Sequence, residues 1–127
     1  LSRSATYVEN LLFTNLRIRA RRPLELVSGY GDAPLPNPCR LHNLILSHLL
    51  LSPTEKLQIT GMPACPLEQI VLNDVTVVLP PEGLPGPVTQ VDWVHGLTVD
   101  GYRVLGPAEQ EITVSHSRDV SVNGVRL

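Results

Sequence analysis

Between residues 8 and 18 the apolar positions fall at Leu11, Phe13, Leu16 and Ile18, two alternating pairs separated by Thr14-Asn15. The same spacing returns in LHNLILSHLLL (41–51) as Leu44, Leu46, Leu49 and Leu51. It returns again in LEQIVLNDVTV (67–77) as Ile70, Leu72, Val75 and Val77. VHGLTVDGYRV (94–104) supplies Leu97, Val99, Tyr102 and Val104, and SRDVSVNGVRL (117–127) supplies Val120, Val122, Val125 and Leu127. The copies start 33, 26, 27 and 23 residues apart, a period that marks structural units stacked on one another.

Alternation with a period of two is the signature of a strand. The polar or small pairs inside the copies are Thr14-Asn15, Ser47-His48, Asn73-Asp74, Asp100-Gly101 and Asn123-Gly124. They suit a bend, because Asn, Asp and Gly tolerate left-handed backbone angles. Each copy therefore reads as strand, corner, strand. A further alternation lies between copies, in LEL (24–26), LQI (57–59), VTQV (88–91) and ITV (112–114). The predicted fold is all-β, a right-handed parallel β-helix of about five coils of three short strands, in one domain over residues 1–127. The handedness follows from the near-universal hand of parallel crossovers.

Two other folds share parts of the pattern. A helix through Val8, Leu11, Leu12 and Leu16 leaves Phe13 and Ile18 unexplained, and proline is too frequent for it. A leucine-rich repeat has the same apolar spacing but needs Asn or Cys at the ninth position. Here that position holds Leu16, Leu49, Val75, Tyr102 and Val125, and the asparagines fall at the third position, as Asn10 and Asn43.

Composition narrows the function. Charged residues make up 17% of the chain and the formal net charge is -2, which gives no basis for nucleic acid as a partner. No apolar run reaches the roughly 18 residues of a membrane helix, and no signal peptide is visible. The chain opens on Leu1, and its single methionine is Met62, so an excerpt or processed product is expected. Cys39 and Cys65 each sit two residues before a copy starts. They are expected as a stacked pair about 5 Å apart, bonded or as free thiols.

Candidate chemistry is sparse. His42, His48, His95 and His116 share no metal-ligand spacing, so neither metal nor cofactor is expected. Asp74 and Asp100 lie at corners without a carboxylate at the same position of the adjacent coil, and are expected to satisfy backbone groups at the bends. No catalytic residue is assigned. Arg17, Arg19, Arg21 and Arg22 form a basic cluster suited to an acidic polysaccharide, because guanidinium pairs bidentately with carboxylates. The competing expectation is a solvated edge. Tyr30 and Trp93 have rings that suit stacking on sugar faces, and Trp93, just before a copy starts, suits packing equally. The first coil, at 8–18, presents an open edge, so self-association or a partner chain is expected there.

The phrase φ-x-N-φ-x-φ-x-N-φ-x-φ resembles the coils of the pectin-lyase-like β-helix superfamily. The ordered series YVENLLFTNLRI, RRPLELVSGYGD, CRLHNLILSHLLL and LQITGMPACPLEQIVLNDVTV, over about residues 7 to 80, is similar to the C-terminal third of glycoside hydrolase family 28, the polygalacturonases. The resemblance implies a segment of an inverting galacturonan hydrolase, secreted or periplasmic. The family's N-T-D, D-D, G-H-G and R-I-K motifs are absent. In the family they precede the coil matched here by VENLLFTNLRI. The resemblance thus implies the C-terminal part of a longer β-helix, without its catalytic coils. Tyr30 matches a family tyrosine that contacts sugar near the cleavage site.

Overall fold

The computed structural model describes residues 7–27, 40–63 and 66–127. Tyr30, expected as a sugar contact, and Cys39 and Cys65, expected as a stacked pair, lie outside the described residues.

The described chain is all-β. Five strands come from the repeated phrase: β1 (Tyr7–Arg19), β3 (Arg40–Ser52), β5 (Leu67–Val78), β7 (Val94–Leu105) and β9 (Arg118–Val122). Between them lie β2 (Glu25–Val27), β4 (Leu57–Thr60), β6 (Pro87–Asp92) and β8 (Gln110–Ser115), and β10 (Val125–Arg126) closes the chain. The chain alternates between two sheets. One has the order β1-β3-β5-β7-β9-β10 and the other β2-β4-β6-β8. Every pairing is parallel except that of β9 with β10. The arrangement is compatible with a β-solenoid. Among the described residues no helix is long and apolar enough to cross a membrane.

The register follows the copies residue for residue. Leu11, Leu44, Ile70, Leu97 and Val120 form one ladder, and Phe13, Leu46, Leu72, Val99 and Val122 another. Leu16, Leu49, Val75 and Tyr102 form a third, and Ile18, Leu51, Val77 and Val104 a fourth. Opposite them, Leu26, Ile59, Val91 and Val114 line up in the smaller sheet. From Leu44 and Leu46 onward the residues of the first two ladders, with those of the other three, meet in the hydrophobic core or pack against it. Each fully buried side chain contributes roughly 1.5–3 kcal/mol of transfer free energy.

The two halves of each of the first four phrases run on as one bent strand. The bend lies where expected: Asn15, His48 and Asp74 have φ of 58°, 57° and 56°, and Gly101 has 66°. A second bend, not anticipated, sits five residues earlier, at Asn43, Gln69, Gly96 and Asp119. Each bend lets the strand turn while its inward residues stay inward.

The fifth copy departs from the expected corner. In the earlier copies only the second residue of the corner pair is left-handed. In the fifth both are, with Asn123 at φ 51° and Gly124 at 82°. Two left-handed residues in succession make a hairpin turn rather than a bend. The chain reverses, and Val125 pairs antiparallel with Val122. Val125 and Leu127 therefore leave the ladders in which the spacing placed them.

One polar group crosses the core. Tyr102 takes the ladder place of Leu49 and Val75, and its ring reaches the smaller sheet. There its hydroxyl donates to the Glu111 carbonyl oxygen at 3.0 Å and accepts from the buried Thr89 hydroxyl at 3.0 Å. Burial pushes the Tyr102 hydroxyl up to about 12.

Candidate functional site

Parallel in-register strands place equivalent residues side by side, so polar side chains from different copies meet on the outer face. One such cluster forms at the corner. Left-handed backbone at His48 and Asp74 turns both side chains outward on adjacent copies. His48 Nδ1 lies 2.9 Å from Asp74 Oδ2. Arg103, one copy on, donates from Nη2 to Asp74 Oδ1 at 2.9 Å and to Thr76 Oγ1 at 2.9 Å. The His48 hydrogen bond, followed by that of Arg103, holds the Asp74 carboxyl below the usual carboxylate range.

Asp74 was expected to satisfy backbone groups at its bend, and its carboxylate takes side-chain partners instead. The backbone role falls to Asn123. Its Oδ1 accepts from the Tyr102 backbone N–H at 2.9 Å, and its Nδ2 donates to the Tyr102 carbonyl at 3.0 Å. That amide continues the sheet's hydrogen bonding one step beyond Tyr102.

The basic cluster divides. Arg17 and Arg19 are exposed on β1. Arg21 and Arg22 lie beyond the strand and are engaged. Arg21 Nε is 2.7 Å from Glu55 Oε2. Arg22 Nη1 reaches Gln58 Oε1 at 3.2 Å and Glu25 Oε1 at 3.4 Å. The Arg21 carbonyl accepts from the backbone N–H groups of Thr54 and Glu55. These bonds pin the loop after β1 to the loop after β3; Arg21 stays exposed despite its partner, as Arg17 and Arg19 are, and Arg22 is half-buried.

Trp93 stacks on His116, with ring centroids 4.7 Å apart and planes 4° from parallel. Both residues have positive φ and occupy the step between the smaller sheet and the larger one. His116 Nδ1 is also 3.0 Å from Asp92 Oδ1. On the adjacent copy the equivalent step is Gly61, where a Cβ would lie 2.4 Å from the Trp93 carbonyl oxygen. Glycine is required there so that the backbones can pass.

Among the described residues no group of three or more His, Cys, Asp or Glu could hold a metal ion. Among the same residues no carboxylate is registered directly against another on adjacent parallel strands. The described cluster joins acid, imidazole and guanidinium from three copies.

Ladder spacing places His48 beside Asp74 in the sequence; the bond between them and the reach of Arg103 to Asp74 were not anticipated. The signal for the first was the step of 26 residues between His48 and Asp74. Comparison with protein-family models, with curated proteins and with solved structures returns no match.

Proposed function

We propose that this chain is a segment of a right-handed parallel β-helix, of the kind found in the C-terminal part of polygalacturonase-like glycosidases. In this reading it serves as supporting wall and as a weak acceptor of acidic polysaccharide, and does not itself cleave the polymer. The observation that carries the reading is the copy-to-copy register, kept up to the reversal at Asn123-Gly124, in which each of the first four phrases is followed by a strand in the smaller sheet. Inverting hydrolysis needs two carboxyl groups about 6.5–9.5 Å apart, one protonated and one ionised. No residue is assigned to either part. Arg17 and Arg19, two residues apart on an exposed strand, supply the charge that would draw a polyuronate.

The experiment is affinity electrophoresis of the chain through gels containing polygalacturonate. Retardation at low ionic strength, lost at high salt and in the Arg17→Ala/Arg19→Ala double variant, is expected. Migration unaffected by the polymer would remove the sugar-binding part. A reducing-sugar assay should show no turnover. Turnover abolished by Asp74→Asn or Asp100→Asn would reverse the non-catalytic part.

A second reading, an interaction module that self-assembles through its first copy, has one specific support. Phe13 is 45% exposed where its ladder mates Leu46, Leu72 and Val99 are 5%, 3% and 2%. Among the described residues β1 is the first strand of its sheet and pairs on one side only. Light scattering across a concentration series separates the readings. A mass that rises with concentration, and no longer rises in Phe13→Ser, favours assembly.

A further inference from the structure

Glu68, His95 and Arg118 occupy one register position on three neighbouring parallel strands, Glu68 beside His95 and His95 beside Arg118. The residue after each is a bend: Gln69 at φ 55°, Gly96 at 90° and Asp119 at 55°. The middle bend carries no side chain. A Cβ on Gly96 would lie 3.1 Å from Gln69 Nε2, so the Gln69 amide leans across the place a side chain would fill. What remains is a cleft of about 280 Å³ lined by Glu68, Gln69, His95, Arg118 and Asp119.

The lining is polar and close to charge balance. Glu68 and Asp119 line the cleft beside Arg118, and Arg126, outside the lining, brings Nη1 to 3.7 Å from Asp119 Oδ1. A balanced site gains little from an ionic ligand. Its side chains are planar groups, with the paired acceptors of carboxylates beside the donors of an amide, a guanidinium and an imidazole. Adjacent hydroxyls, each of which donates and accepts, match that set. The volume lies just under the roughly 300–1,000 Å³ of pockets for drug-sized ligands, room for one small ring.

We propose that this cleft binds a single neutral polyhydroxylated ring, one sugar unit of a glycan. It goes beyond the polyuronate reading, because it uses other residues, on other strands, and does not select for negative charge.

The test is an amide NMR titration of the chain with the methyl glycosides of glucose, galactose, mannose and xylose. Sodium galacturonate and sodium sulfate serve as charged comparators. At least one neutral glycoside should give saturable, millimolar shifts centred on His95, Gly96 and Asp119. Arg118→Gln, on an exposed side chain, should weaken that binding about tenfold, the loss of one charge-assisted hydrogen bond. Gly96→Ala should abolish it, and the dispersion of the spectrum shows whether that variant folds. The proposal is overturned if no glycoside gives saturable shifts, if a folded Arg118→Gln binds as well as the parent, or if only the anions act at the cleft. Galacturonate shifts confined to Arg17 and Arg19, with the cleft silent, would overturn this proposal and leave the polyuronate reading standing.

Discussion

Phe13 and Leu72 occupy the same position of the repeated phrase and the same ladder, yet one is half open to solvent and the other buried. β5 lies between β3 and β7, so Leu72 has apolar neighbours above and below. β1 has, among the described residues, only β3. The far end is finished differently. β9 is covered by its own return strand β10, and Val120 is 1% exposed although it belongs to the last phrase. An inward-facing pattern therefore does not guarantee burial. Burial at the end of a stack depends on whether something closes the edge, and the Asn123-Gly124 turn does so at one end.

The largest effect should separate the middle from the first copy. Leu72→Ala and Ile70→Ala remove side chains packed on both sides and should each cost about 2–5 kcal/mol in urea denaturation. Phe13→Ala should cost much less, about 1 kcal/mol, because its ring is already half solvated. Equal costs would mean that the first copy is covered in solution, as self-association requires.

Next comes the polar bridge through the core. Tyr102→Phe strands the Glu111 carbonyl and the Thr89 hydroxyl and should cost about 1–3 kcal/mol. Its pH dependence is distinctive. The folded hydroxyl titrates at about 12 and the unfolded one at about 10. The unfolded chain thus releases its proton first. Stability present below pH 10 should be lost as the pH rises toward 12, by about 2–3 kcal/mol. Tyr102→Phe should flatten that part of the stability-versus-pH curve, and an unchanged slope would place its origin elsewhere.

At the closed end, Asn123→Ala removes two hydrogen bonds to the Tyr102 backbone and puts alanine at a left-handed position. A loss of about 1–3 kcal/mol is expected. If the hairpin closes the stack, hydrogen exchange in this variant should rise in β9 and β7 before β5.

The smallest effect should be Asp74→Asn. The carboxylate is solvated despite its His48 and Arg103 partners, and exposed pairs contribute little. Its lowered folded pKa makes the contribution present above the ordinary aspartate range and lost as the pH falls through the folded value. Thermal melts at low and high salt should converge for the parent and the variant.

Much of the fold was legible in the sequence because inward side chains recur every second residue and copies recur at a near-constant interval. That regularity sets strand type, the bends at Asn15, His48, Asp74 and Gly101, and the parallel register, since a slip by one residue would turn every apolar side chain outward. Even the reversal at the end had a local sign, Asn123-Gly124, the strongest short hairpin signal, although the repeat pattern suggested a bend there. The exposure of Phe13, the reach of Tyr102 to Thr89 and Glu111, the Asp74 cluster and the cleft at Gly96 were decided only by the tertiary structure. Each depends on which residues a neighbouring strand brings alongside, at separations of 9 to 33 residues; periodicity shows which positions stack, as with His48 beside Asp74, and not which side chains bond.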